Sequence, residues 1–427
     1  MTQQSVEILI GKLLTDEELR EAFEQNPNGV LVWLLRQGLQ LSRLEMEALT
    51  SIKPSDLSGL ADMIDRRLQK ASLRRIPMTH TAHDTDTLPT APLGTTGMRI
   101  TRVGFGAWAI GGGGWTFAWG NQDDADSIAA IRHAVERGIN WIDTAAVYGL
   151  GHSEEVVARA LRDIPADDRP YVFTKAGLVW EERDRAAPPQ RIGDPLSIRR
   201  EVEASLRRLD VERIDLCQMH WPAEDGTLLQ DYWGTLLQLK EEGKVRAVGL
   251  SNHDVAPLDA AERLGHVDTL QPPFSGIHRE VAAAELPWCA AHRTGVIVYS
   301  PMQSGLLTGT FSLERAARLG ADDWRSRSPD FTGLGLTRNL ALAHALRPIA
   351  ERHRVTVAAV AVAWTLTWPG VTGAIVGARS PAQVDGWIGA ASLELTDADL
   401  DEIADAIKRT GAGTGPVRPP TTDAAAP

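Results

Sequence analysis

From Leu93 onward the chain repeats one rhythm, a short run rich in Val and Ile followed by a longer amphipathic stretch. The runs predict strands over residues 100–104, 140–143, 171–175, 214–220, 245–251, 268–271, 296–300 and 373–376. The stretches between them predict helices, among them 124–137, 153–161, 197–209, 231–241 and 340–353. Strands alternating with helices specify a parallel sheet with helical crossovers. A closed barrel of this kind takes about 250 residues before insertions, which this part of the chain supplies. An open doubly wound sheet is the competitor, and its dinucleotide form carries G-x-G-x-x-G after the first strand. Gly104, Gly106 and the run 111–114 lack that spacing, and Trp115 stands where a helix should open. The expected fold is therefore an α/β chain with a (β/α)8 barrel.

The 427 residues leave room for a second, smaller unit. Residues 1–74 read as consecutive short helices. Val6, Ile8, Leu9 and Leu13 form one apolar stripe, Val30 to Leu35 another, and residues 57–68 a further one. Thr15 with Glu18, and Ser42 with Glu45, have capping-box spacing. Residues 75–92 are rich in Thr, Pro and His without apolar periodicity and read as a linker; residues 411–427 read as a disordered tail. His80 and His83 in the linker have no ligand partners nearby in sequence, so no metal site is expected. The net charge of -12 and the absence of a Lys/Arg cluster argue against a nucleic-acid partner. Cys217 and Cys289 lie far apart in apolar surroundings, which speaks against a disulfide framework. The N-terminus lacks the basic segment of a signal peptide, and no apolar run is long enough to cross a membrane. The expected setting is cytoplasmic.

Polar residues fall at the C-terminal ends of successive predicted strands, where such a barrel places its active site. Asp143 ends the second strand and Tyr148 follows in the loop; Lys175 ends the third and His220 the fourth. Singly, each has a bland reading as a surface charge or a packing residue. Together they bring a carboxylate, a phenol, an amine and an imidazole to one rim. Hydride reduction of a carbonyl creates an alkoxide, which an acid must protonate as its charge develops. Tyr148 is the candidate acid. Lys175 is expected to lower its pKa by favouring phenolate, Asp143 to hold the ammonium, and His220 to orient the carbonyl.

The spacing of Asp143, Tyr148, Lys175 and His220 resembles the catalytic tetrad of the aldo-keto reductase superfamily. The phrases GTTGMRITRVGFGAWAIGG, NWIDTAAVYGLGHSEEVVARAL, KVRAVGLSN, VYSPMQSGLLTG and VGARSPAQV recur there in this order, and the likeness spans about residues 93–410. The bacterial branch related to potassium-channel β subunits resembles it best. The resemblance implies a TIM barrel opened by a hairpin near residues 94–102, with NADPH extended across the rim. It implies a carboxamide site at Ser251, Asn252 and Gln271, with Tyr299 stacking on nicotinamide. It further implies a pyrophosphate segment from Ser300 and Pro301 through Gly305, Leu306 and Gly309, and an adenosine end at Arg379, Ser380 and Gln383. Gly386 and Trp387 replace the Glu-Asn pair usual at the adenine, a departure from the pattern.

Thirteen tryptophans are many for this length. Trp108, Trp115 and Trp221 fall in loops expected around the rim and are candidate substrate contacts, for sugars, aromatic aldehydes or polyketide-like ketones. Trp141, Trp364 and Trp368 read as core. Residues 311–336 are a candidate lid or a disordered loop. Residues 1–74 are similar to leader-like helical domains of the nitrile-hydratase-leader and Nif11 type, including Os-type precursors. That likeness implies a docking module in a natural-product setting, with self-association as the alternative. The functional expectation is an NADPH-dependent aldehyde or ketone reductase in a natural-product or sugar pathway. The alternative is an NADPH-binding redox sensor that turns over slowly and contacts a protein partner through its N-terminal helices.

Overall fold

The computed structural model describes residues 88–420 apart from 166–167 and 321–322, together with Leu9, Leu13, Phe23, Val30, Leu31 and Leu49. The chain divides into two units, residues 1–85 and 86–427. In the first, the six described positions are helical, and Leu9, Leu13, Phe23, Leu31 and Leu49 are buried. The proposed capping boxes, the 57–68 stripe and the linker histidines lie outside the described residues.

The second unit is a closed barrel of eight parallel strands. Strands β1 (Thr90–Pro92) and β2 (Arg99–Thr101) form an antiparallel hairpin ahead of it. The barrel follows in the order β3 (Val103–Gly106), β4 (Trp141–Asp143), β5 (Tyr171–Ala176), β8 (Ile214–Met219), β9 (Val245–Ser251), β10 (Thr269–Gln271), β11 (Gly295–Val298) and β12 (Val371–Gly377). Register Ala374↔Val103 closes it. A second antiparallel pair, β6 (Leu178–Val179) with β7 (Gln190–Arg191), rises from the loop after β5.

Alternation along each strand explains both the core and the placement of the polar groups. Trp141, Phe173, Leu216, Ala247, Ile297 and Ile375 pack together inside the barrel beneath hairpin residues Leu93, Met98 and Ile100. Their neighbours Ile142, Cys217, Val248, Val296 and Val376 belong to the larger core shared with the surrounding helices. Two residues beyond Trp141, Phe173 and Leu216 stand Asp143, Lys175 and Gln218, on the same inward parity and buried. Gly104 is required by this packing: a Cβ there would sit 2.1 Å from the Trp141 indole.

The sequence ran two elements together at the first strand. Arg102 separates β2 of the hairpin from β3 of the barrel, and the hairpin begins at Thr90, inside the expected linker. The predicted helix 340–353 is two helices, Gly333–Ala345 and Arg347–His353, because Pro348 cannot continue the first. Residues 411–420, expected to be part of a disordered tail, pack on the barrel. Ala412 is buried, its carbonyl accepts from Arg279 Nη1 at 3.1 Å, and Thr414 pairs with His278. Trp141, Trp364 and Trp368 are core residues, as expected. Among the described residues no helix is long and apolar enough to cross a membrane.

Candidate active site

Asp143 and Lys175 end adjacent strands and meet in a buried ion pair, Nζ to Oδ1 2.6 Å. Lys175 Nζ also donates to the Thr144 carbonyl at 2.9 Å and toward Tyr148 Oη at 3.5 Å. The far oxygen of Asp143 accepts from Gln271 Nε2 at 2.9 Å. That amide also donates to Gln218 Oε1 at 2.7 Å, and Gln218 Nε2 in turn donates to Thr269 Oγ1 at 3.0 Å. Both Nε2 protons of Gln271 are thus committed inside the barrel, which leaves its Oε1 as an acceptor. Gln218 and Thr269 were not singled out from the sequence, although their inward parity in strands β8 and β10 carried the signal.

Tyr148 lies with its ring edge-on to His220, centroids 5.7 Å apart. The Asn252 amide ties the neighbourhood together. Its Nδ2 donates to the His220 carbonyl at 2.9 Å and to Ser251 Oγ at 3.1 Å, and its Oδ1 accepts from Tyr299 Oη at 2.8 Å.

The electrostatics correct one expectation. Lys175 was expected to lower the phenol pKa, but burial, reinforced by the Asp143 carboxylate, pushes Tyr148 well above its ordinary value. The ammonium is already matched by Asp143 at 2.6 Å, so little of its field is left for the phenol. Burial pushes Asp143 up and Lys175 down, and each opposes that shift in the other through its charge. Burial, then Lys175 and Arg191, holds His220 well below the usual imidazole range. Its Nδ1 is buried without a protein partner. The site therefore presents a neutral phenol and a neutral imidazole beside one matched ion pair.

Two cavities meet at Trp108, Tyr148 and Tyr299, which line both. The first, of about 840 Å³, is bordered by the expected Trp108, Trp115 and Trp221, by His220, and by Ser251, Asn252 and Gln271. The second, of about 640 Å³, runs from Asp143 and Tyr148 past Ser300, Pro301 and Gly305 to Arg379, Ser380 and Gln383. Ser300, Gln303, Ser304 and Gly305 all have positive φ, so the backbone is bent sharply along that wall. Leu306 and Gly309 do not line it. Leu306 is fully buried in the helix-facing core, and Gly309 turns the chain against Val357, where a Cβ would come within 2.9 Å.

Arg379 is placed at the far end of the second cavity, but its donors are turned to the loop after β3. It bonds Gln122 Oε1 at 2.5 Å, the Trp119 carbonyl at 3.2 Å and the Asn121 carbonyl. Gln383 Oε1 accepts from the Arg379 backbone at 2.8 Å. Residues the sequence reading passed over fill this end. Arg325 is paired with Asp323 and lies over the Trp119 ring at 4.6 Å, while Arg315 borders the cavity with no protein hydrogen bond to its guanidinium. Trp324, from the segment read as a lid, stacks on Trp108 with centroids 5.5 Å apart. That segment is built of short helices, Leu313–Ala317, Trp324–Arg327 and Pro329–Phe331. Trp387 is buried at the same cavity with an unpartnered Nε1. Among the described residues no cluster is suited to a metal ion.

The comparison with known proteins agrees with this geometry. A profile of the aldo/keto reductase family matches residues 102–408. The chain is 35% identical over 332 residues to the NADH-specific methylglyoxal reductase of Escherichia coli, covering 74% of this chain and 99% of that one. It is 33% identical over 318 residues to the aldo-keto reductase YhdN of Bacillus subtilis, covering 74% and 92%. Among solved structures, the glycerol dehydrogenase of Gluconobacter oxydans superposes with a TM-score of 0.68 at 37% identity, over 79% of this chain and 99% of that one. The chain belongs to the aldo/keto reductase family of oxidoreductases.

Proposed function

We propose that this protein reduces an aldehyde or ketone to an alcohol at the expense of NADPH, with Tyr148 as the proton donor. The observation that carries the reading is the arrangement around Lys175 Nζ. It is matched by Asp143 at 2.6 Å and lies 3.5 Å from the phenol oxygen, at the junction of the two cavities. When bound, the reduced nicotinamide supplies the hydride. The chain's own residues supply the rest. Tyr148 keeps its proton at neutral pH because burial holds its pKa high, which is the state a general acid needs. As Tyr148 Oη releases that proton to the forming alkoxide, the Lys175 ammonium stands ready to balance the phenolate. Asp143 and the Thr144 carbonyl fix the ammonium in place. His220, held neutral, orients the carbonyl by a hydrogen bond from whichever ring nitrogen carries its proton.

The residues present fit a nicotinamide dinucleotide. Gln271 Oε1 and Ser251 stand at the junction for the carboxamide, and Tyr299 offers a ring face beside them. Ser300, Pro301 and Gly305 would border the pyrophosphate, with Ser380 and Gln383 toward the adenosine. Three arginines at the far cavity, Arg315, Arg325 and Arg379, favour an anionic end and hence NADPH. Steady-state oxidation of NADPH against a panel of aldehydes and ketones tests the reading, with Tyr148→Phe as the control. Turnover that is lost in the variant supports it. Tight NADPH binding with no carbonyl reduced would instead favour a cofactor-sensing protein.

A further inference from the structure

We propose that the substrate is a flat, apolar, fused-ring aldehyde or ketone, held face-on by the aromatic wall of the larger cavity. The inference rests on the carbonyl-reductase reading and narrows its substrate. Three observations lead to it. The cavity of about 840 Å³ is far larger than a three-carbon aldehyde needs and falls within the roughly 300–1,000 Å³ typical of sites for larger organic ligands. Its wall continues an ordered column of rings. Trp324 stacks on Trp108 at an interplanar angle of 15°, and Trp108 lies at 21° to the Tyr148 ring, so flat surfaces lead up to the candidate acid.

The third observation is what the polar groups of this wall are doing. The Asn252 amide is spent on His220, Ser251 and Tyr299. Arg191 is paired with Glu224 and lies over the Trp221 ring at 4.3 Å. Asp225 accepts from the Gly193 and Thr227 amides, each at 3.1 Å. A polyol or sugar entering here would exchange water for groups that already have partners, which disfavours it. A planar apolar ring system loses nothing by leaving water and gains stacking surface. Pro188, Pro189 and Leu178 extend the apolar lining on the opposite side.

The test compares 2-naphthaldehyde with methylglyoxal and glyceraldehyde in the wild type and in Trp324→Ala, alongside binding of the non-reacting 2-naphthol followed by tryptophan fluorescence. Expected is a kcat/KM for 2-naphthaldehyde at least about tenfold above either small aldehyde. That ratio should fall about tenfold in the variant, the range that one lost apolar contact brings, with the loss in KM. Equal or better turnover of glyceraldehyde or methylglyoxal, or a ratio unmoved by Trp324→Ala, overturns the proposal. Failure to bind 2-naphthol overturns it as well. If 2-naphthol binds through Trp324 yet no carbonyl is reduced, the flat-ring site stands and the reductase reading falls.

Discussion

The polar centre and the aromatic wall beside it are built by different means. Asp143 and Lys175 stand on neighbouring barrel strands, nearly inaccessible, with their hydrogen bonds closed through Gln271, Gln218 and Thr269. The wall comes from the loops after β3 and β8 and from Trp324, which arrives from a segment of short helices after β11. It is held by ring stacking and by ties between loops, such as Thr116 Oγ1 to the Ala186 carbonyl at 2.6 Å. A centre fixed by sheet register can hold chemistry constant, while loops above it are free to set what is admitted. Changes in the centre should therefore act on kcat, and changes in the wall on KM.

Lys175→Met breaks the comparison hardest on the side of the centre. It leaves the buried Asp143 carboxylate without its cation and removes the charge that balances phenolate. We expect kcat to fall by about 10²–10⁴, the range of a lost acid–base device, with KM for the carbonyl little changed; steady-state kinetics and circular dichroism check both.

Glu201 joins the two regions. Its carboxylate accepts from the Gly177 amide at 2.9 Å, just beyond Lys175 and ahead of the β6–β7 pair that enters the wall. Burial pushes its pKa up to about 7 from an ordinary 4.5. The folded value lies above the unfolded one, so the native state holds the extra proton. That contribution is full below pH 4.5 and lost as pH rises through 7. The difference corresponds to about 3 kcal/mol. Urea unfolding should show wild-type stability declining across this window, and Glu201→Gln should flatten the decline.

Arg315→Ala probes the far cavity, where its guanidinium has no protein partner. We expect KM for NADPH to rise by about fivefold with kcat unchanged, since a partly exposed charge contact contributes about 1 kcal/mol, and KM for NADH to rise less. Equal effects on both cofactors would remove Arg315 from the 2′-phosphate. The smallest expected change is in the pH profile. With Tyr148 held above the ordinary phenol value, kcat for reduction should stay level up to pH about 9, short of the phenol's unperturbed value of about 10.

The same contrast explains what could be read from the sequence. Asp143, Lys175 and His220 were legible because each ends a Val/Ile-rich strand, and strand parity fixes the side on which an end residue points. Eight strand positions followed from the same rule. Trp324 and Arg315 were hidden, because stacking between loops depends on chain path and leaves no periodic trace. Arg379 was placed at the correct cavity, but its bonds to residues 119–122 join positions over 250 apart in sequence. The sign of the Tyr148 shift was misread for a related reason. Proximity of an ammonium is visible in the motif, whereas burial of the phenol and the prior claim of Asp143 on that charge are properties of the packed barrel. Glu201 looks like any solvated residue of an amphipathic helix until the loop after β5 is laid across it.

The most direct measurement is a single-turnover experiment in which wild type and Tyr148→Phe, each preloaded with NADPH, are mixed with a carbonyl that the wild type reduces. NADPH fluorescence before mixing reports binding, and its decay reports hydride transfer. The expected result is equal binding and a decay slowed by at least about 10²-fold in the variant. Decay at the wild-type rate in Tyr148→Phe would show that the proton comes from elsewhere and would contradict the assignment of Tyr148 as the acid.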